Sequence, residues 1–326
     1  MVTGATGGLG LSLCATLRDA GYFVRATGRS MTHEDRLMQI SNEFVRGDLL
    51  DMDLNALCQG IDIVFHAAAL SSPWGPEADF YAANVVATER LLAASRAAGA
   101  HGFVFVSSPS IYASLRDQPF LTEDSPLPER ALNAYARTKR FAEELVLAAN
   151  TPTFRTTSLR PRALVGPDDR VLLPRILALA SRGWFPALRG GQALIELTDV
   201  RDATTALLRA GENLATAGGK AINISGGRPV SVAVLVGKLA EALQRPIAMR
   251  NIPVQIALLL ARASEMVCNL RPGRPEPRLT TYGVATLAFT QTFDLTRARD
   301  LLGYQPAYDP VSTAQELAAR GVARAS

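Results

Sequence analysis

The first 160 residues alternate short apolar runs with Ala- and Leu-rich helical stretches, and this alternation constrains the fold more than any other feature. The predicted strands are Tyr22–Thr27, Glu43–Arg46, Ile61–Phe65, Gly102–Val106 and Phe154–Leu159. The predicted helices are Leu9–Ala20, Leu54–Gln59, Asp79–Ala98 and Ala131–Ala149. Strands that are apolar along their length and separated by helices are typical of a parallel sheet covered on both faces. We therefore predict a doubly wound α/β domain over residues 1–160.

The second half has a different pattern, with denser Pro, Gly and Arg and isolated short strands at Ala193–Leu197 and Ala221–Ile224. We expect residues 161–326 to form mainly a smaller substrate-binding lobe, with some segments returning to the first sheet. The most apolar window, Ile252–Val267, contains Arg262 and Glu265 and is too short to span a bilayer. We interpret it as a buried or substrate-covering helix; contact with a membrane surface is the alternative.

Composition excludes several classes of function. Of 326 residues, 48% are hydrophobic and only 20% are charged, which excludes a disordered chain and allows a sizeable core. The net charge of +4 comes from scattered arginines without a Lys-rich block, so no nucleic-acid partner is predicted. Three cysteines and three histidines lack metal-ligand spacing, so no metal site is predicted. Without a leader-like N-terminus or spanning segment, we expect a cytoplasmic protein.

A Gly-x-x-Gly-x-x-Gly pattern at Gly4, Gly7 and Gly10 lies between a strand remnant and a helix. Gly4 can form the tight turn, Gly7 lets the backbone approach a pyrophosphate, and Gly10 lets the helix pack on the sheet. An ordinary strand-helix turn is the alternative. Only Met1 and Val2 precede the turn, so we predict a short first strand and a less stable central sheet, as for a chain that begins late. The candidate cofactor residues here are Gly4, Thr6, Gly7, Gly8, Leu9 and Gly10.

The end of the second strand bears on which dinucleotide is bound. An acidic residue there would hold the ribose 2′-hydroxyl of NAD, but this chain has Thr27-Gly28-Arg29-Ser30. Arg29 and Ser30 therefore favour NADP over NAD. The alternative is that Arg29 stacks on the adenine and both cofactors bind.

Two further strand ends carry candidate cofactor residues. Asp48-Leu49 follows the third strand, where a carboxylate can accept from the adenine amino group. His66-Ala67-Ala68-Ala69 follows the fourth, and the small side chains of Ala67, Ala68 and Ala69 leave room for the cofactor. We interpret His66 as a packed strand-end histidine rather than a catalyst.

The candidate catalytic pair is Tyr135 and Lys139, which a Tyr-x-x-x-Lys spacing places on one helical face. A cation near the phenol would lower the pKa of Tyr135 and suit it to acid-base catalysis. A surface Tyr/Lys pair is the alternative.

Hydroxyl side chains follow the apolar strand that ends at Val106, at the sheet edge where ligands bind. We choose Ser108 as the donor to the substrate oxygen and expect at least one of Ser107, Ser108 and Ser110 to be a turn residue. Asn84, on the preceding helix, either holds a proton-relay water or braces the sheet.

These patterns occur in the order found in extended short-chain dehydrogenases/reductases, which the chain resembles along nearly its whole length. The resemblance implies a Rossmann-type domain, NAD(P) binding, Tyr135 as general acid/base, Lys139 as its partner and Ser108 as the oxygen donor. It also implies a homodimer formed through helices Asp79–Ala98 and Ala131–Ala149.

Four stretches are similar to the 3β-hydroxysteroid dehydrogenase branch, whose bacterial members include 2-alkyl-3-oxoalkanoate reductases. They are Ser72–Pro76, Leu159–Pro167, Leu173-Pro174-Arg175 and Phe293–Arg299. Many sugar-nucleotide enzymes carry Asn where this chain has Ala163, which weighs against that class. The residues Leu164, Trp184, Phe185 and the 252–267 helix suggest an apolar pocket. Beyond the residues above, the candidate contacts are Pro161 for the cofactor and Ser71, Ser108, Ser110, Arg162 and Trp184 for the substrate.

The predicted activity is NAD(P)-dependent hydride transfer on a hydrophobic secondary alcohol or ketone. One alternative is a sugar-nucleotide epimerase or dehydratase with tightly held NAD. The other is a non-enzymatic dinucleotide sensor, which would have little use for an intact Ser108, Tyr135 and Lys139 set.

Overall fold

The computed structural model describes residues 1–31, 33–169, 174, 177, 178 and 183–325. Of the Leu173-Pro174-Arg175 stretch, only Pro174 lies within these described residues. The strands are β1 Val2–Thr3, β2 Arg25–Gly28, β3 Glu43–Arg46, β4 Ile63–His66, β5 Gly102–Val106, β6 Gln118–Leu121, β7 Arg155–Pro161, β8 Leu164–Val165, β9 Trp184–Leu188, β10 Leu194–Ile195, β11 Thr198–Asp199, β12 Ala221–Ile224, β13 Val230–Ser231, β14 Ala248–Ile252 and β15 Gln291–Phe293.

The helices that we number are α1 Gly8–Asp19, α2 Glu34–Ile40, α3 Leu54–Cys58, α4 Glu77–Tyr81, α5 Ala87–Ala97, α6 Ala134–Ala148, α7 Val200–Glu212, α8 Leu214–Ala217, α9 Val232–Ala242, α10 Val254–Leu270, α11 Thr281–Ala288, α12 Thr296–Leu302 and α13 Pro310–Ala325. A π-helical turn, Ala82–Val86, joins α4 to α5, and a 3₁₀ turn, Pro109–Tyr112, follows β5.

Seven parallel strands form the central sheet in the order β12-β7-β5-β4-β1-β2-β3, which confirms the predicted doubly wound fold. The strand order reverses beside β1, so a crevice forms at the carboxyl ends of β1 and β4. The first strand is short, as predicted: Val2 and Thr3 pair with β2 on one side and β4 on the other. The predicted strand Tyr22–Thr27 begins later, at Arg25, because Tyr22 and Phe23 lie exposed in the turn after Gly21.

Helix α1 lies against the sheet through an apolar face in which Leu11, Leu13 and Cys14 are fully buried. It also contacts α7 from the second half of the chain, which packs on the same sheet. The predicted helix Asp79–Ala98 is present as a helical run from Glu77 to Ala97 that contains the π-helical turn. The predicted helix Ala131–Ala149 begins only at Ala134, where the Asn133 side chain caps it by accepting from the Ala136 N–H at 2.8 Å.

The two halves of the chain exchange strands. The β12 strand from the second half completes the central sheet, while β6 from the first half joins β13, β10 and β15 in a four-stranded sheet. The short pairs β8–β11 and β9–β14 complete the second half. Segments of residues 161–326 thus return to the first sheet; the boundary at residue 160 stays a prediction.

The interpretation of the 252–267 window as a buried or substrate-covering helix is wrong. In α10 only Ala257 and Ala261 are buried, whereas Leu259, Leu260 and Leu270 are more than half exposed. The small residues face α11, and this close packing turns the larger apolar side chains outward. None of the helices in the described part of the chain is long and apolar enough to cross a membrane.

Candidate active site

One cavity of about 1070 Å³ runs along the carboxyl edge of the central sheet and into the second half of the chain. It brings together every predicted cofactor residue and most of the predicted catalytic and substrate residues. Those that line it are Gly4, Thr6, Gly7, Gly8, Leu9, Gly10, Arg29, Ser30, Asp48, Leu49, Ala67, Ala68, Ala69, Ser71, Ser108, Tyr135, Lys139, Pro161 and Arg162.

The turn that contains Gly4, Gly7 and Gly10 packs closely against neighbouring backbone. Gly4 has a φ of +67°, and a Cβ there would lie 2.6 Å from the Ala68 nitrogen. A Cβ on Gly10 would overlap the Gly4 carbonyl oxygen, so the helix start can approach the strand only without a side chain. The N-terminus of the twelve-residue helix α1 opens into the cavity from this turn. Free N–H groups and a positive dipole end at this point suit a pyrophosphate, so the residues present fit a dinucleotide.

At the far side of this turn, Arg29 and Asp48 form an ion pair with a nitrogen–oxygen distance of 3.1 Å. The other Asp48 oxygen accepts from the Leu50 N–H at 3.0 Å, which with Arg29 holds the pKa of Asp48 below its usual value. Arg29 is 65% exposed, so it can turn toward a ligand at little cost. Both predicted adenosine contacts therefore lie together at one end of the cavity.

Ser108 and Tyr135 meet at the other end. The Ser108 side chain lies next to the Tyr135 phenol, and its hydroxyl accepts from the Ser110 N–H at 3.2 Å. Burial raises the pKa of Tyr135 to about 12, and the Ser108 hydroxyl offsets only part of that rise. The phenol is therefore protonated at neutral pH and can donate its proton.

The expectation that Lys139 lowers the pKa of Tyr135 is wrong for this arrangement. The Lys139 ammonium group is 2% exposed and donates to the Val106 carbonyl at 2.5 Å, over the Phe105 ring. Burial lowers the pKa of Lys139 itself to about 7, although the Glu143 carboxylate acts to raise it. A cation that is disfavoured by its own burial contributes little to ionising the phenol.

Asn84 does not line the cavity, so its prediction as a catalytic residue is corrected. Its side chain is 1% exposed, accepts from the Leu70 N–H at 2.7 Å, and donates to the Leu70 carbonyl and to Thr138 Oγ1. The π-helical turn places the amide between the loop after β4 and helix α6. Asn84 therefore braces the helix that carries Tyr135 and Lys139, whereas the bracing predicted for it was of the sheet.

Two predicted substrate residues also lie outside the cavity. Ser110 is 3% exposed within the 3₁₀ turn, where its backbone rather than its side chain contacts Ser108. Trp184 packs beside Arg250, with the guanidinium 5.3 Å from the ring centre, whereas the following residues Phe185 and Pro186 line the cavity. The predicted residue therefore lies one position before the two residues of β9 that line the cavity.

His66 is a neutral, packed residue, as predicted. It is fully buried between Thr3 Oγ1 at 2.7 Å and Thr88 Oγ1 at 2.9 Å, and burial lowers its pKa to about 3. It links β1 and β4 to α5 and has no free nitrogen to serve the cavity.

Sequence reasoning missed the cavity wall formed by α11 and the residues before it. Tyr282 lines the cavity and acts electrostatically on both Tyr135 and Arg162. Glu265 of α10 holds the start of α11 by accepting from the Thr281 N–H at 2.7 Å. No sequence signal marks this segment, because only tertiary packing brings it to the sheet edge.

Comparison with known proteins agrees with this geometry. Residues 1–225 match the model of the NAD-dependent epimerase/dehydratase family. The chain belongs to that family. It is an extended short-chain dehydrogenase/reductase and an NAD(P)-dependent oxidoreductase, as the sequence predicted.

Three known proteins illustrate the similarity. A 2-alkyl-3-oxoalkanoate reductase of Stenotrophomonas maltophilia (strain K279a) is 34% identical over 313 residues, covering 94% of each chain. A 3 beta-hydroxysteroid dehydrogenase/Delta 5→4-isomerase of Mycobacterium tuberculosis (strain ATCC 25618 / H37Rv) is 30% identical over 322 residues, covering 94% of this chain and 86% of that one. The solved structure of MoeE5 in complex with UDP-glucose and NAD has a TM-score of 0.75 at 26% identity, with 98% of each chain covered. The first two similarities match the branch that the sequence resembles.

Proposed function

We propose that this enzyme transfers a hydride between a nicotinamide cofactor, with NADP preferred, and the ketone or secondary alcohol of a hydrophobic substrate. The observation that carries the proposal is the meeting of Ser108, Tyr135 and Lys139 in the cavity that begins at the glycine turn. The bound dinucleotide would supply or accept the hydride at the substrate carbon.

The chain's own residues would manage the proton and the oxygen. Ser108 would donate a hydrogen bond to the ketone oxygen, and Tyr135, protonated at neutral pH, would give that oxygen its proton. Lys139, freed from the Val106 carbonyl, would bond the ribose hydroxyls of the cofactor. Donors that are already in place need little reorganisation as charge develops on the oxygen.

The substrate end of the cavity is apolar, which supports a hydrophobic substrate. Its wall is formed by Leu164, Phe185, Pro186, Ile195, Leu197, Val232, Leu235, Val236, Leu279 and Leu287. Two relatives, as their names say, act on a 2-alkyl-3-oxoalkanoate and on a 3β-hydroxysteroid, both largely hydrocarbon. Apolar walls with a few convergent polar groups are the usual construction of a small-molecule site.

The preference for NADP rests on the residues at the end of the cavity that would hold the adenosine of the cofactor. Arg29 is the exposed cation at the end of β2, and Arg46 of β3 approaches it by donating to the Arg29 carbonyl at 3.4 Å. A 2′-phosphate placed there would meet positive charge, whereas Gly28 supplies no carboxylate for a 2′-hydroxyl. Use of both cofactors remains the alternative.

A nucleotide-sugar activity is the second candidate, because the similar structure of MoeE5 contains UDP-glucose and NAD. Ala163 lines the cavity at the position where many such enzymes carry Asn, and it has no polar atom in its side chain. This departure favours the ketone reductase.

The deciding experiment is cofactor consumption. Purified enzyme is given NADPH or NADH with 3-ketosteroids, esters of 2-alkyl-3-oxo acids and simple aromatic ketones, and absorbance at the nicotinamide band is followed. We expect oxidation of NADPH with at least one apolar ketone. Retention of NAD through gel filtration, with conversion of a UDP-sugar and no net cofactor consumption, would contradict the proposal and favour the second candidate.

A further inference from the structure

Arg162 is a buried cation in the substrate end of the cavity. The residue is 8% exposed and lines the cavity, and its Nε atom has no hydrogen-bond partner among the described residues. Its backbone atoms are engaged: its N–H donates to the Ile224 carbonyl, and its own carbonyl accepts from Thr198 Oγ1. Among the described residues, no carboxylate oxygen lies within ion-pair distance of the guanidinium.

The carboxylate that acts on Arg162 through space is Glu196, but it is held elsewhere. One Glu196 oxygen accepts from Ser225 Oγ, and the other accepts from the Phe293 N–H at 3.1 Å. Glu196 is 1% exposed and fixed by these bonds, so it cannot turn to pair with the guanidinium. The other buried arginine of this strand, Arg160, is treated differently, because Glu143 pairs with it directly.

An unpaired buried charge is costly, and proteins keep such charges where a ligand completes them. The guanidinium is planar, keeps its charge and presents parallel donors that match a carboxylate with two bonds. An anionic group on the substrate would therefore gain a charge-assisted contact with a guanidinium of a residue that is only 8% exposed. A neutral ketone would leave the guanidinium unsatisfied.

The fold places Arg162 close to the reacting end. Arg162 follows β7 and Ser108 follows the neighbouring β5, and the Ser107 N–H donates to the Leu159 carbonyl at 2.7 Å. Neighbouring strands lie about 4.8 Å apart. Tyr282 acts electrostatically on both Tyr135 and Arg162, so both lie near the same side chain. A carboxylate on Arg162 and a carbonyl at Ser108 would thus belong to one small headgroup.

We infer that the substrate is an oxo acid whose carboxylate lies a few bonds from the ketone, with Arg162 as the residue that binds the carboxylate and selects for it. This inference rests on the proposed reductase function. The ketone carbon takes the hydride of NADPH, the ketone oxygen takes one proton, and the products are NADP⁺ and the hydroxy acid. The carboxylate is unchanged, and the alkyl chains occupy the apolar wall.

The test compares three substrates that share one ketone: a long-chain 3-oxo acid prepared fresh and kept cold, its methyl ester, and the ketone left after loss of carbon dioxide. For the wild-type enzyme we expect kcat/KM with NADPH to be about 100-fold higher for the acid than for the ester, as for a charge-assisted pair. In Arg162→Met that advantage should vanish, with the ester and the ketone changed less than about threefold. Arg162→Lys should be intermediate.

Arg278→Met is the matched control, because Arg278 is an exposed arginine at the same cavity and should leave the preference for the acid intact. Equal kcat/KM for the acid and the ester in the wild-type enzyme would overturn the inference, and so would an equal loss on both substrates in Arg162→Met. If Arg162→Met fails to fold, Arg162→Lys tests the residue and the wild-type ratio tests the substrate class; an unchanged preference for the acid in Arg162→Lys would overturn the role of Arg162. Absence of NADPH oxidation with all three substrates, by contrast, would count against the reductase function itself.

Discussion

The buried ion pair under the active site gives a stability prediction with a built-in control. Glu143 and Arg160 are 3% and 5% exposed, and the shortest nitrogen–oxygen distance between them is 2.5 Å. Ser158 also donates to Glu143 at 2.8 Å. Replacing Glu143 with Gln keeps the shape but leaves the Arg160 guanidinium without a countercharge.

Breaking a buried pair from one side costs about 3–5 kcal/mol. Gln retains one acceptor oxygen, so we expect the lower end, a loss of about 3 kcal/mol in the free energy of unfolding. For a chain of this size that corresponds to a fall in Tm of roughly 6 °C. The adjacent residue Glu144 is the control: it pairs with Arg140 at 2.9 Å but is 57% exposed, so Glu144→Gln should cost only about 0.3–0.5 kcal/mol.

The dependence on pH sharpens the test. Burial acts to raise the pKa of Glu143, but the hydrogen bonds and charge of Arg160 outweigh it, and the pKa lies below its usual value. A lowered carboxyl pKa contributes stability above the unfolded-state value, about 4.3, and loses it as pH falls through the folded-state value. Urea unfolding at pH 7 and near pH 3.5 should therefore show the penalty of Glu143→Gln shrinking in acid. Equal penalties for both Gln variants at pH 7 would refute the reasoning.

Three further predictions concern the cavity. Because burial lowers the Lys139 pKa to about 7, the folded chain binds fewer protons than the unfolded chain between about pH 7 and pH 10, and the amine costs stability at lower pH. Lys139→Met should thus have a Tm at pH 6 equal to or higher than that of the wild-type enzyme, and the difference in Tm should decrease toward pH 10. Its turnover should fall at least about 100-fold. Gly4→Ala should abolish the enhancement of nicotinamide fluorescence on titration with NADPH, because its Cβ would overlap backbone atoms. Gly21 also has a left-handed φ but has open space around it, so Gly21→Ala should lower the free energy of unfolding by only about 1 kcal/mol and bind NADPH normally. Arg29→Ala should raise the KM for NADPH about tenfold and leave that for NADH unchanged, whereas Arg36→Ala should change neither.

Local patterns predicted the parts of the site that local geometry determines. The spacing of Gly4, Gly7 and Gly10 and the placement of Asp48 and Ala67 at strand ends follow from the backbone of a strand-turn-helix unit, so the sequence was sufficient. The placement of Tyr135 and Lys139 on one helical face could likewise be predicted from their spacing. Their pKa values could not be predicted, because burial and the contact with the Val106 carbonyl depend on how α6 packs on the sheet.

The errors arose where a one-residue choice or a distant segment decided the outcome. Trp184 and Phe185 are both large and apolar, and the sequence does not distinguish which of them lines the cavity; in the structure it is Phe185. The role of Asn84 was left between two alternatives until its bonds to Leu70 and Thr138 were visible. Tyr282 had no local pattern to distinguish it. Tertiary packing, rather than periodicity, places such residues.

The most direct test of the reductase account is the Tyr135→Phe variant, since the change removes one oxygen and leaves the ring. With a ketone that the wild-type enzyme reduces, we expect NADPH oxidation to fall by about 10²–10⁴-fold, while the affinity for NADPH, followed by nicotinamide fluorescence, stays within about twofold. That result would show that the phenol supplies the proton after the cofactor is bound. Undiminished turnover in the variant would contradict the account.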